Sequence, residues 1–379
     1  MIGGGRRRGR WSLALAVGAT GAALLLASAA GASAPGPARA QPRPAPDADG
    51  WRPVLQRAWE ASQERRYTGE ALWIVWADGD PHVALSRVLR DRDTLTVSSP
   101  DDFTVRLGEE GGDMVDHRQG WLTPLPPVDS GRPDAALRAL EEKYEVALAG
   151  EDRLLDRPCT RLEVRRRGNG SLRERLWVDD DSGLVLRRES YEGSRRLRLV
   201  AYLSLDLRPG TAARAGIRAA RDDDGDSLER RSRAITPVDD RALTALREAG
   251  WTVPPSLPGG YEPVGVYAVD GSDSQPLHLV YRDGLYTVSL FQQQGRPDWA
   301  SLPDGAQPAD DLGWPAYEWA GAVPQRLVWE ASGTTFSLVG DAPPREFVAI
   351  ARSLPRPQAP TLPHRLRRGL ARLWEWVSP

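Results

Sequence analysis

The stretch YTGEALWIVW, residues 67–76, decides how this chain folds. Leu72, Ile74 and Trp76 fall on one side of an extended strand and Ala71, Trp73 and Val75 on the other, because successive side chains of a strand point to opposite faces. Both sides are apolar. An antiparallel sheet with one wet face alternates apolar and polar residues, so this strand needs cover on each side: protein on one, and protein or a ligand on the other.

Just upstream, Trp51, Val54, Leu55, Ala58, Trp59 and Ser62 recur at the spacing of an amphipathic helix. Downstream, TRLEVRRR (160–167) alternates cleanly, with Leu162 and Val164 on one face and Arg161, Glu163 and Arg165 on the other. GNGS (168–171) supplies a hairpin turn. Further strand candidates are LTVSS, FTVRL, GWLTPL, YEVALAG, RERLWVD, GLVLRRES and LRLVAYLSL, interrupted by a helix at DAALRALEEKY (134–144). Hairpins dominate, and strands do not alternate with helices as a nucleotide-binding parallel sheet requires.

Residues 209–239 are rich in glycine, alanine and charge, without sustained periodicity, and read as a linker. A second unit opens with DDRALTALREAGW, where Asp239 or Asp240 can cap a short helix that Gly250 ends. LHLVYRDGLYTVSLFQQQ (277–294) is a hairpin with Asp283-Gly284 at its turn, and QRLVWEASGTTFSLVG (325–340) is another. PPREFVAIARSL then forms a helix burying Phe347, Ile350, Ala351 and Leu354. Residues 356–379 carry Leu362, Leu366, Leu370, Leu373 and Val377 on one helical face with arginines largely elsewhere, a basic amphipathic tail suited to a membrane surface, a partner's groove or this protein's own surface.

The amino terminus differs from the rest. Arg6, Arg7, Arg8 and Arg10 precede a long run of apolar and small residues with A-x-A sites ending at Ala34 and Ala40. Residues 1–40 therefore read as an export signal or an N-terminal anchor, followed by a Pro/Ala-rich linker at 41–50. Cys159 is the single cysteine, so no intrachain disulfide can form.

Chemistry is sparse. In ERLWVDDDSGLVLRRE (174–189) the three aspartates suggest calcium, but a calcium loop counted from Asp179 has Gly183 where its fifth-position ligand belongs. Counted from Asp222, Ser227 takes the glycine position and Arg233 the final glutamate's. Aspartate and glycine favour turns for backbone reasons, and the reading is a chain reversal. His82, His117, His278 and His364 share no ligand spacing, Lys143, the sole lysine, is not beside Ser or Thr, and no G-x-S-x-G elbow occurs. Isolated Ser, His and Asp residues could still meet in space. With a net charge of −2, nucleic-acid binding has no electrostatic footing. Neither metal, cofactor nor catalytic residue is expected. The chain does hold 14 tryptophans. Trp73, Trp76, Trp121 and Trp177 could line an apolar cavity or pack a core.

The succession of YTGEALWIVW, KYEVALAGEDRLLDRPCTRLEV, RERLWVDDDSGLVLRRE and LRLVAYLSL resembles the first domain of the RseB/MucB family of sigma-E factor regulatory proteins. GWTVPPSLPGGYEPV, LHLVYRDGLYTVSLF and FSLVGDAPPREFVAIARSL resemble that family's smaller C-terminal domain, in the same order. The resemblance implies an α+β architecture. Residues 51–208 would form a LolA-like curved, incompletely closed antiparallel sheet wrapped around helices, and residues 240–355 a smaller antiparallel α+β domain. It further implies an exported, non-enzymatic regulator that binds the extracytoplasmic part of a single-pass anti-sigma factor, shields it from proteolysis and answers a lipid-like envelope-stress ligand. The rival reading is a lipid or lipoprotein carrier of the cell envelope. Under the first reading, Trp73, Val75, Phe103, Trp121 and Trp177 are expected to face the ligand. Tyr281, Asp283, Tyr286 and Phe291, or the space between domains, are expected to meet the partner.

Overall fold

The computed structural model describes residues 50–357 apart from 78–79, 92–93, 100–102, 109–110, 117–120, 126–132, 209–234, 270–275, 300–301, 303–304 and 320–323. The export signal expected over 1–40, nearly all of the two linkers and the tail from residue 358 lie outside the described residues.

Two open antiparallel sheets make up the molecule. Helix α1 (Trp51–Glu64) leads into β1 (Tyr67–Ala77), β2 (Asp80–Asp91), β3 (Thr94–Ser99), β4 (Phe103–Gly108), β5 (Gly111–Asp116) and β6 (Trp121–Leu125). Helix α2 (Pro133–Lys143) then precedes β7 (Tyr144–Leu154), β8 (Arg157–Arg166), β9 (Leu172–Asp179), β10 (Val185–Glu192) and β11 (Arg195–Asp206). Their order in the sheet is β6-β5-β4-β3-β2-β1-β11-β10-β9-β8-β7, two meanders joined where β1 pairs with β11. Among the described residues β6 and β7 pair with nothing beyond, and the sheet is not closed into a barrel. This is the incompletely closed antiparallel sheet with helices that the resemblance implies.

Helices cover one face only. Trp51, Val54 and Ala58 of α1 and Leu137 and Leu140 of α2 form a cluster with Tyr144, Val146, Leu162, Val164 and Val178. Register carries that face across the sheet: Leu162 stands opposite Leu176, Leu176 opposite Arg188, Arg188 opposite Val200 and Val200 opposite Trp73. The cover expected on both sides of β1 is found in part on this one, where Ala71 is buried and Trp73 and Val75 are half-buried. On the other, Leu72 pairs with Leu85 and Ile74 with Val83, and Leu85 and Val83 are 57% and 62% exposed. Two indoles of that second face are capped by guanidiniums instead, Trp76 by Arg196 at 4.4 Å and Trp177 by Arg187 at 4.8 Å from the ring centroid.

The second half opens with β12 (Ile235–Pro237), helix α3 (Asp240–Glu248) and β13 (Glu262–Val269), with β14 (Leu277–Arg282), β15 (Thr287–Gln294) and β16 (Ala306–Pro308) following. A 3-10 turn at Asp310–Leu312, β17 (Ala316–Trp319), β18 (Gln325–Ala331), β19 (Thr334–Gly340) and helix α4 (Pro344–Ser353) complete it. Its strands run β12-β13-β14-β15-β19-β18-β17-β16. Asp239 caps α3, accepting from the Ala242 amide at 2.7 Å. Phe347, Ile350 and Ala351 of α4 are buried against Trp329, Leu338 and Tyr261. Among the described residues no helix is long and apolar enough to cross a membrane.

The aspartate turn reverses the chain between β9 and β10. The Asp179 carboxylate is fully buried, accepts from Arg157 Nε at 3.0 Å and from the Ser182 amide at 3.0 Å, and also meets the Ser182 hydroxyl. Gly183, at φ +79°, lets the turn pass close under the Arg57 carbonyl of α1, where a Cβ would lie 2.9 Å away.

Candidate functional site at the junction of the two halves

The expected ligand-facing residues divide between the two faces of the first sheet. Trp73 and Val75 lie on the helix-covered face of β1. Phe103 reaches the same face through the pairings Ser99 with Phe103, Val97 with Val88 and Gly69 with Val88, read in steps of two. Trp121 is opposite Asp116, which is opposite Phe103, so its backbone position belongs there as well, while its side chain lies outside the described residues. Trp177 does not: it pairs with Arg187, Arg187 with Ala201 and Ala201 with Leu72, on the opposite face. There the indole Nε1 donates to Asp152 at 2.9 Å. Trp73 is half-buried and donates to Ser86 Oγ at 2.7 Å. Its indole is hydrogen-bonded within the sheet.

The expected partner-facing residues are a clearer correction. Tyr281, Asp283, Tyr286 and Phe291 are all buried. Tyr281 and Phe291 belong to the interior of the second half, Tyr281 donating to the Pro254 carbonyl at 2.8 Å and Phe291 stacking on His278 at 4.0 Å. Asp283 and Tyr286 face the first half. The Tyr144 hydroxyl of β7 donates to Asp283, Arg166 lies 3.5 Å from the same carboxylate, and the Tyr286 hydroxyl donates to the Arg173 carbonyl at 3.4 Å. A partner could reach Asp283 or Tyr286 only by parting the two halves.

A buried polar seam thus joins the sheets. Arg173 meets Glu346 at 2.6 Å, and Tyr261 donates to the same glutamate at 3.2 Å. Arg166 donates to the Gly259 carbonyl at 3.0 Å, and Lys143 to that of Gly260. Behind this seam, Arg188 holds Glu174 through two bonds of 2.8 and 3.1 Å, both side chains being almost fully buried. Burial works against the Arg188 charge, but Glu174 beside it more than offsets this and raises its pKa. Burial, reinforced by Asp283, pushes the Tyr144 phenol well up, so it stays a donor. Burial likewise raises Asp341, whose Oδ1 accepts from the Thr287 amide at 2.7 Å. The Asp283-Gly284 turn packs directly against the first half. At Gly284, φ +96°, a Cβ would stand 2.6 Å from the Ala139 carbonyl of α2.

A cleft of about 740 Å³ opens beside the seam. Val75 and Trp76 end β1 at its rim, Leu197 and Arg198 come from β11, Trp319 and Leu327 from β17 and β18, and Phe347 from α4. Of this group Val75 was expected at a ligand site, and Trp76 was among the tryptophans that could line an apolar cavity or pack a core. Arg198 stands between Leu197 and Leu199, just before the apolar run LVAY of β11, a signal legible in the sequence, though not as a wall of a cleft made by the other half.

Two further groups have a defined geometry. His278 and Ser289 do meet, Nε2 to Oγ at 2.9 Å, but both are buried, and His278 Nδ1 has no hydrogen-bond partner among the described residues. The pair is buried and, among the described residues, no carboxylate orients the ring. Cys159 is buried and its thiol is pushed up to about 12 by burial, with Asp179 adding to the effect.

Comparison with known proteins bears on the first half. Residues 84–218 match the family model described as the MucB/RseB N-terminal domain. No curated protein matches the chain. Among solved structures, the chain is similar to the Pseudomonas aeruginosa MucA/MucB complex at 17% identity and a TM-score of 0.45, covering 81% of this chain and 99% of that one. It is also similar to the lipoprotein LppX of Mycobacterium tuberculosis, at 10% identity over 43% of this chain and 99% of that one, TM-score 0.27. A LolA superfamily protein from Nitrosomonas europaea is matched at 13% identity over 42% of this chain and 94% of that one, TM-score 0.22.

Proposed function

We propose, from the match of residues 84–218 to the MucB/RseB N-terminal domain, that this chain is a member of that family and an extracytoplasmic, non-enzymatic regulator that binds an anti-sigma factor. The observation that carries the reading is the family match over residues 84–218, which spans most of the first sheet. The solved complex of MucB with MucA supplies the kind of partner. Here that partner would be a single-pass membrane protein whose extracytoplasmic segment is held and shielded from proteolysis.

Release would follow from linkage. A lipid-like ligand that favours the partner-free arrangement weakens the partner by the same factor by which the partner weakens the ligand. The apolar residues on the helix-covered face of β1 and the two-part build, with a seam that can be closed or parted, support such a device.

The test is affinity capture from detergent-solubilised membranes of the source organism, with residues 41–379 as bait. Retention of a single-pass protein with a cytoplasmic anti-sigma domain, eluted by added lipid, is the expected result. Retention of lipid or lipoprotein alone would overturn it in favour of an envelope carrier.

A further inference from the structure

The cleft between the halves contains donors in want of an acceptor. Arg198 is 6% exposed and lines the cleft. Its Nη2 donates to the Asp341 carbonyl at a long 3.4 Å, and its Nη1 is buried with no acceptor among the described residues. Trp319 lines the same cleft, and its indole Nε1 is likewise buried without an acceptor. Buried donors of this kind are rare in native interiors. Two in one cleft ask for a ligand that brings acceptors.

The surroundings specify that ligand further. Five arginines line the cleft against three carboxylates. Of the carboxylates, Glu192 is engaged by Arg195 at 3.0 Å and by Arg345 at 3.8 Å. Burial, with Arg188 repelling from behind, lowers the Arg198 pKa, and Asp341 only partly compensates. The remaining wall is apolar: Trp76, Leu197, Phe347 and Val348. The volume of about 740 Å³ lies within the range of small-molecule sites, which run from roughly 300 to 1,000 Å³.

We propose that this cleft binds a small organic anion, one carboxylate or phosphate group carried on an apolar body. The oxyanion accepts from Arg198 Nη1 and Trp319 Nε1, donors that are covered in this structure and turn toward an occupant by a side-chain rotation, and the apolar body lies along Trp76 and Phe347. Because β11 supplies Arg198 while β17 and α4 supply the facing wall, an occupant touches both halves at once. The site stands or falls independently of the regulator reading.

The experiment is calorimetric titration of the whole chain with dodecanoate and with dodecyl phosphate, below their micellar concentrations. Dodecyl maltoside serves as the uncharged chain and inorganic phosphate as the head alone. One site is expected for at least one of the two anions, with both controls at least about tenfold weaker, since a charge-assisted bond in a dry site is worth that factor or more. Whichever anion binds more tightly identifies the head as carboxylate or phosphate. Arg198→Gln is expected to weaken binding roughly tenfold, and Trp319→Phe, which keeps a ring and loses the donor, about threefold. Should Arg198→Gln fail to fold, Trp319→Phe decides alone. No binding of either anion, equal binding of dodecyl maltoside, or unchanged affinity in folded Trp319→Phe overturns the proposal.

Discussion

Gly284 shows how a single residue can hold two halves together. Its backbone sits where a Cβ would press on the Ala139 carbonyl at 2.6 Å, and its φ of +96° disfavours any L side chain. Gly284→Ala is expected to cost about 1–3 kcal/mol, measured as a lower urea midpoint. Its sequence context, Asp-Gly between alternating apolar runs, marked the turn but not the surface it would press against, because contact with α2 is not written in local pattern. His278 makes a second residue-scale test. Burial lowers its pKa from 6.5 to about 3, so between those values the unfolded chain binds a proton that the folded chain refuses. Stability therefore falls as pH drops from 6.5 toward 3, by up to about 1.4 kcal/mol per pH unit. Denaturation at pH 7 and pH 5 should show the loss, and His278→Gln should reduce it.

At the scale of elements, β1 was legible because its two apolar faces are a property of ten consecutive residues. Trp177 was misplaced for a related reason. Its strand alternates correctly, but which face joins that of Trp73 depends on pairings through β10 and β11, where bulges interrupt the register at Glu70/Ala71 and Ser190/Tyr191. The aspartate turn between β9 and β10 was read correctly as a reversal, and its chemistry is now specific. Asp179→Ala strips an acceptor from Arg157, from the Ser182 amide and from the Ser182 hydroxyl. A loss of roughly 1–3 kcal/mol is expected, seen as a lower melting temperature. Neither calcium nor a chelator should shift the melting temperature of the parent protein; a calcium-dependent rise would make the turn a metal site after all.

For the whole molecule, the seam predicts one cooperative unfolding transition where the sequence suggests two separable units. Arg173 and Glu346, Arg166 and Asp283, and Tyr144 and Asp283 all bridge the halves. Arg173→Ala leaves the partly buried Glu346 with the Tyr261 hydroxyl at 3.2 Å and Arg166 at 3.9 Å, and is expected to destabilise the junction by about 1–2 kcal/mol and to split the calorimetric transition in two. A single unsplit transition at the parent temperature would show that the halves are coupled by other contacts. The seam was not legible residue by residue: Asp283 and Tyr286 were expected to meet a partner, on the second unit or in the space between domains, because alternation distinguishes inside from outside, not one's own second half from a stranger.

The pairing of β1 with β11 also sets a timetable. Thr68 meets Asp206, so the central strand of the first sheet cannot be completed until the chain has been delivered through β11. In the interval β1 holds one bare edge between two apolar faces, the profile of a strand that joins its neighbours on other chains. A chain released before β11 is expected to aggregate, and one held unfolded at that stage needs an escort for that stretch.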